Sequence, residues 1–196
     1  MTDRQFPDRI FWLDAEMTGL DVLGHDTLME LACVVTDGEL NVVVEGPELV
    51  FGVSNRQLKR MVAWCRKTHG ESGLTKKCRE SHLTLEDGDE ILSEFIRKHC
   101  PKAPLAGNSV HADRQFMCKE LPKSVKELHY RIIDVSSIKE LAKRWYPGLK
   151  ERNKDRKTGV GGAHTAKYDI YESIEELKHY RANIFKDKAN VVCKTE

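Results

Sequence analysis

The order of apolar runs along this chain predicts an α/β fold, one mixed five-stranded sheet with helices on both faces. Three observations carry that expectation. A short apolar run near the start is followed by two β-rich runs separated by Asp37-Gly38, and later apolar runs at 104–109 and 131–135 each lead into a segment of helical spacing. Strands joined by a tight turn pair antiparallel, whereas strands joined through a helix pair parallel. The resulting order β-β-β-α-α-β-α-β-α-α therefore gives a mixed sheet that needs cover on both sides.

Residues 9–14 form the first expected strand, ended by Asp14, Glu16 and the Thr18-Gly19 turn, with Leu20 exposed on the loop that follows. Strands 28–36 and 40–45 flank Asp37-Gly38, where the tolerance of glycine for positive φ suits a hairpin turn. A helix over 55–67 places Leu58, Met61, Val62 and Cys65 on one side and runs into a loop at 68–74. A second helix, 85–99, repeats the spacing with Leu85, Ile91, Leu92, Phe95 and Ile96 before Pro101 and Pro104 stop it. Strand 104–109, helix 111–120, strand 131–135 and helix 136–146 follow, the last with Ser136 as its N-cap. The charged, Gly-rich stretch 147–163 is expected as a mobile loop, helix 164–185 as the closing element, and 186–196 as a polar, frayed tail. All 196 residues then belong to one expected domain, with its core over 9–185.

Composition limits the function. A formal net charge of +1 provides no global attraction for long nucleic acid, so a ligand with phosphates must be short or held by a local patch. Six cysteines occur without a Cys-x-x-Cys pair, several inside apolar patterns, which suits reduced thiols in an intracellular protein. There is no secretory core and no apolar run of membrane-spanning length, which argues against a membrane protein. Residues 1–8 carry both charge signs, unlike an Arg-rich transit peptide, so the expected location is cytoplasmic, with a mitochondrial or nuclear fraction compatible.

The stretch Phe11-Trp-Leu-Asp-Ala-Glu-Met-Thr-Gly-Leu-Asp21 is where chemistry enters. Asp14 and Glu16 stand at i and i+2, which a strand projects from one face. Two carboxylates that close repel each other, so they face water, share a proton or hold a divalent cation between them. Topology brings three further segments to the same end of the first strand: Gly107-Asn-Ser109, Asp113 at the start of the next helix, and His164-x4-Asp169 at the last helix.

Taken together, Asp14, Glu16, Asp113, His164 and Asp169 resemble the DEDDh family of 3′→5′ exonucleases. FWLDAEMTGLD, WCRKTHGESGL (64–74), GNSVHADRQF (107–116), LHYRIIDVSSIKELAKRWYP (128–147) and HTAKYDIYESIEELKHYR (164–181) are similar to its oligoribonuclease branch over residues 9–185. This resemblance implies a ribonuclease H-like exonuclease fold. It also implies a metal-dependent phosphodiester hydrolase that cuts oligoribonucleotides of two to about five residues to mononucleotides. Two divalent ions about 4 Å apart, Mg²⁺ or Mn²⁺, can activate the attacking water and stabilise the leaving oxygen, and four carboxylates supply roughly the charge they need. Asp14, Glu16, Asp113 and Asp169 are then the metal ligands. His164 is the general base, with an ordinary pKa near 6.5 that suits neutral pH.

For substrate contacts, the resemblance implies that Leu20 wedges between bases and that Trp64 and His69 line the pocket. It implies that Ser109 and Ser136 cap the 5′ phosphate, and that the partner subunit's Tyr130 closes the site in a homodimer. Without the resemblance, Trp64 belongs to the core, His69 to a loop and Tyr130 to a strand edge. Two positions depart from the pattern: Ala112 stands where glutamine is common and Tyr168 where a second aspartate is common. Cys65-x3-His69-x8-Cys78-x3-His82 has zinc-ligand residue types, but it overlaps a stretch that already matches the exonuclease pattern and is not read as a zinc site. Other classes remain to be separated from this one: a DEDDh nuclease for longer RNA or DNA ends, and a silent module that binds RNA ends.

Overall fold

Alternation along the first strand decides which face each layer of helices covers. In the computed structural model, which describes residues 8–150 and 165–186, β1 (Ile10–Met17), β2 (Leu28–Thr36) and β3 (Val42–Val50) form an antiparallel meander. β4 (Leu105–Gly107) and β5 (Ile132–Asp134) add in parallel on the other side of β1, giving the order β3-β2-β1-β4-β5. Phe11 and Leu13 point from β1 into one core, against α4 (Leu85–His99), α5 (His111–Glu120) and α6 (Pro122–Glu127). Trp12 points into the other, against α7 (Val135–Trp145) and α8 (Ala166–Ile184). Period-two geometry then puts Asp14 and Glu16 on the α8 side.

Both cores are dry. Trp12 is fully buried and its indole N–H donates to Thr36 Oγ1 at 2.9 Å, so Trp12→Ala is expected to cost about 3–5 kcal/mol. Helix α4 shows why its sequence stays helical: Thr84 accepts from the Asp87 N–H, acids sit in the first turn and Arg97, Lys98 and His99 in the last. Its Leu92 and Ile96 face the sheet, fully buried.

Several expected boundaries move. β1 runs on to Met17, so Asp14 and Glu16 lie within the strand and not after it. β3 continues through Gly46-Pro47 to Val50, because the register shifts opposite Ala32–Val34 and an edge strand tolerates proline. A Cβ on Gly46 would lie 2.3 Å from the Cys33 sulfur and 3.0 Å from the Phe95 ring, so glycine lets the two layers close. At the hairpin the positive φ falls on Leu40 (68°), not on Gly38. Burial of Leu40 and three bonds accepted by the Asp37 carboxylate hold that turn.

The single helix expected over 55–67 is two, α1 (Asn55–Arg60) and α2 (Ala63–Glu71), broken at Met61. Met61 turns extended and buries against Met29, Leu58 and Cys65, while the Arg66 guanidinium caps the freed Lys59 and Met61 carbonyls. Two short helices, α3 (Leu74–Glu80) and α6, have no counterpart in the sequence reading. Asp134, not Ser136, N-caps α7, accepting from the Ser136 N–H at 3.0 Å. Of the loop expected over 147–163, residues 151–163 lie outside the described residues, as do residues 187–196 of the expected tail.

Candidate active site

The carboxylates gather where β1 leaves the core. Register pairs Asp14 with Ala32 and Glu16 with Glu30. Helix α8 delivers Asp169 in its first turn, where Thr165 caps the helix and the Asp169 N–H donates to the Thr165 carbonyl at 3.1 Å. Buried Ile170 and Ile174 fix that helix against Trp12 and Ala32. Asp14, Glu16 and Asp169 can each present an oxygen within 4.8 Å of the others. Asp113, on α5 just beyond β4, is 6% exposed and accepts from the Ala15 N–H at 3.0 Å, between the two β1 acids.

Electrostatics makes this cluster costly as it stands. Burial, then the charges of Asp113, Asp169 and Glu16, push the Asp14 carboxyl well above the usual range. Burial with Asp169, Glu30 and Asp113 raises Glu16 to about 7, and burial raises Asp113 to about 7 against its own hydrogen bonds. Hard, convergent, negatively charged oxygen donors are what a small divalent cation requires. Oxygens sharing one Mg²⁺ lie about 3–4 Å apart, so small side-chain rotations would close this set. The donor set fits such an ion.

The comparisons with known proteins agree with this geometry. An exonuclease family model, RNase_T, matches residues 11–177. A "Probable oligoribonuclease" of Dictyostelium discoideum is 52% identical over 91% of this chain and 91% of its own length. The human "Oligoribonuclease, mitochondrial" is 47% identical over 92% of this chain and 75% of its own, and the Hydrogenovibrio crunogenus oligoribonuclease 45% over 91% and 95%. The chain belongs to the oligoribonuclease family of exonucleases. Solved structures of exonuclease I share the fold: TM-score 0.67 and 17% identity for the Methylocaldum szegediense enzyme, 0.69 and 14% for the Escherichia coli enzyme with a dA16 oligonucleotide. Each match covers 90% of this chain but only 41% of the exonuclease I chain.

Around the acids, this oligoribonuclease-family chain places the other sequence candidates unevenly. Leu20 (77% exposed), Trp64 (69%) and Tyr130 (70%) stand in solvent, so Trp64 is not a core residue. Tyr130 stacks on His129, with the Arg131 guanidinium over its ring at 5.3 Å. His69 lies in α2, 2% exposed, with Nε2 at 3.0 Å from the Met17 carbonyl and Nδ1 at 3.8 Å from Glu16 Oε2. Since the carbonyl can only accept, Nε2 carries the proton and Nδ1 presents a lone pair. Desolvation lowers the His69 pKa, which keeps the ring neutral. Ser109 and Ser136 touch through their hydroxyls at 3.1 Å, beside Asp134. His164 lies outside the described residues.

Sequence reasoning missed Glu30 and Asp134, and it brought Asn108 to the site without a role for its side chain. Glu30 faces Glu16 across the sheet, and its signal was the alternation in LMELA, which puts a lone charge in an apolar strand. Asn108 and Asp134 act through hydrogen bonds between distant segments and leave no periodic trace. In the stretch with zinc-ligand residue types, the Cys78 thiol donates to the Met29 carbonyl and His69 Nε2–H to the Met17 carbonyl. Among the described residues, the only metal-competent group is the Asp14, Glu16 and Asp169 set.

Proposed function

We propose that this chain is a homodimeric 3′→5′ exoribonuclease that hydrolyses RNA of two to about five nucleotides, dinucleotides above all, to 5′-mononucleotides. The convergence of Asp14, Glu16 and Asp169, with buried Asp113 beside them, carries the reading. Two divalent cations, Mg²⁺ or Mn²⁺, held by Asp14, Glu16, Asp113 and Asp169 would supply Lewis-acid activation of water and neutralise charge on the phosphodiester. The four side chains set where the scissile phosphate sits and keep it in line with the attacking water. His164 takes the proton from that water and so acts as general base. Leu20 and the partner subunit's Tyr130 sandwich the bases, with stacking worth about 1–3 kcal/mol per base. Trp64 and His69 complete the pocket, His69 from beside Glu16, and Ser109 with Ser136 receives the terminal 5′ phosphate.

Shortness of the substrate follows from charge and closure. With a net charge of +1 and no run of five or more basic residues, the sequence offers no long cationic track, so each phosphate beyond the pocket adds little affinity. The five described cysteines are free thiols, which suits a reducing compartment such as the cytoplasm, and the mammalian relatives named as mitochondrial make a mitochondrial fraction the alternative address. The test is a single-turnover length series of 5′-phosphorylated RNA from two to ten nucleotides. The rate constant should fall as length increases from two. Degradation of the ten-nucleotide RNA as fast as the dinucleotide would move the assignment to a nuclease of longer ends, and binding without product to a silent end-binding module.

A further inference from the structure

Beyond β4 the chain turns through Asn108 into Ser109, which holds φ at 52°, a left-handed value that a residue with a Cβ adopts only when its surroundings impose it. The Ser109 N–H donates to Asp134 Oδ1 and to Ser136 Oγ, both at 3.0 Å, and Asp134 is fixed in turn by the Ser136 N–H and by His111. Asn108 joins this knot to α8. Its Oδ1 accepts from Ser136 Oγ at 3.2 Å, and its Nδ2 donates to Ser173 Oγ at 2.9 Å and to Glu176 Oε2 at 3.1 Å. Ser173 Oγ then donates to the Asp169 carbonyl at 2.9 Å, while Lys139 and the Tyr180 hydroxyl hold the other Glu176 oxygen.

Proton counting gives the network a direction. The Glu176 carboxylate can only accept, so the Asn108 amide cannot flip. Its oxygen is therefore committed to Ser136, and Ser136 spends its single hydroxyl proton there. Ser136 can then only accept from Ser109, from its N–H at 3.0 Å and its hydroxyl at 3.1 Å. The N–H is fixed by the backbone, so the Ser109 hydroxyl is the donor that can rotate from Ser136 onto a phosphate oxygen.

We propose that Asn108 is a positioning residue that orients the Ser109 hydroxyl toward a terminal 5′ phosphate and locks that seat to the Asp169 helix, an assignment that rests on reading the two serines as the phosphate seat. Without the Asn108 acceptor the Ser136 hydroxyl is no longer pinned, its oxygen is free to leave Ser109, and the spacing that aims the Ser109 hydroxyl at the phosphate is lost. Preference for a 5′-phosphorylated over a 5′-hydroxyl end is then the property that Asn108 sets.

The test compares kcat/KM for 5′-phosphorylated and 5′-hydroxyl RNA dinucleotides, at saturating Mg²⁺, in wild type, Asn108→Ala, Ser173→Ala, Ser136→Ala and the Asn108→Ala/Ser173→Ala double variant. Circular dichroism and thermal melts verify that each is folded, and Ser173→Ala, which removes one small hydroxyl, stands in if Asn108→Ala does not fold. Asn108→Ala should lower the 5′-phosphate preference about three- to ten-fold, the range of one hydrogen bond. Ser173→Ala, whose side chain touches neither Ser109 nor Ser136, should lower it less, and should add nothing to the preference in the Asn108→Ala background. Equal losses on both dinucleotides, with the preference intact, would make Asn108 merely structural and overturn the proposal. If Ser136→Ala itself leaves the preference unchanged, the serines are not the phosphate seat and both readings fall. If Ser136→Ala lowers it while Asn108→Ala and Ser173→Ala do not, only the role of Asn108 falls.

Discussion

Glu16 on β1 stands directly across from Glu30 on β2, two carboxyl groups opposed in an antiparallel pair. Directly opposed like charges destabilise a sheet, and burial raises both groups, Glu16 to about 7.

The sign of the pH effect follows from that. Below the ordinary glutamate value of 4.5, Glu16 is neutral in folded and unfolded chains alike. As pH rises from 4.5 to about 7, the unfolded chain loses the proton while the folded chain keeps it, so the stability contribution declines through this window and levels off above it. Without metal, Glu16→Gln should therefore melt with wild type near pH 4 and above it near pH 8, by on the order of 1–3 kcal/mol. Mg²⁺ or Mn²⁺ should stabilise wild type far more than the variant. A Glu16→Gln protein that tracks wild type across the whole pH range would refute the buried-charge account.

Asp113 separates structure from chemistry. Its Oδ1 accepts the Ala15 N–H at 3.0 Å, a bond that the amide oxygen of the Asp113→Asn variant can keep and that Asp113→Ala loses. Both variants should lose several orders of magnitude in turnover, whereas only Asp113→Ala should also lose about 1–3 kcal/mol in denaturant melts from the unpaired amide. Substantial turnover in either variant would remove Asp113 from the metal-ligand set.

The loop that carries Leu20 is held from inside. Asp26 accepts from Thr18 Oγ1 and from the Asp21 N–H, both at 2.9 Å, and Lys119 pins its carbonyl at 2.8 Å. A Cβ on Gly19 would lie 2.4 Å from Asp26 Oδ2, so Gly19→Ala must displace a carboxylate that is already bonded twice. The KM for a dinucleotide should rise roughly ten-fold, about the worth of one stacked base, with a smaller change in kcat. An unchanged KM would mean that Leu20 does not contact substrate.

Tyr130 tests the dimer. Its ring is 70% exposed, and Trp145, Tyr146 and Leu141 add further exposed apolar surface on and after α7. Light scattering should report a dimer, and Tyr130→Ala should keep that mass while losing most dinucleotide turnover. Mixing Tyr130→Ala with an Asp14→Ala protein should restore part of the activity, because one site of each mixed dimer regains both groups. A fully active monomer would contradict the shared site.

The strand order, the mixed sheet and the gathering of Asp14, Glu16 and Asp169 were legible in the sequence because each rests on a local signal. Period-two alternation puts Trp12, Asp14 and Glu16 on one face, and helical spacing sets Asp169 beside the Ile170 and Ile174 stripe that sinks into the core. Those signals survive without knowing what packs where. Other features do not. The break at Met61 keeps a helical pattern on both sides, and only the pocket formed by Met29, Leu58 and Cys65 makes an extended Met61 the better state. The positive φ of Leu40 is set by burial beneath α8, not by residue type.

Residue order alone settles which groups carry charge and on which strand face they stand, since side-chain chemistry and backbone period are local properties. Packing in three dimensions settles that those charges are buried together, that Glu30 opposes Glu16, and that Asn108 bridges Ser136 to Ser173. Burial and long-range hydrogen bonds depend on segments far apart in the chain, and distance in space is what a string of residues leaves unwritten.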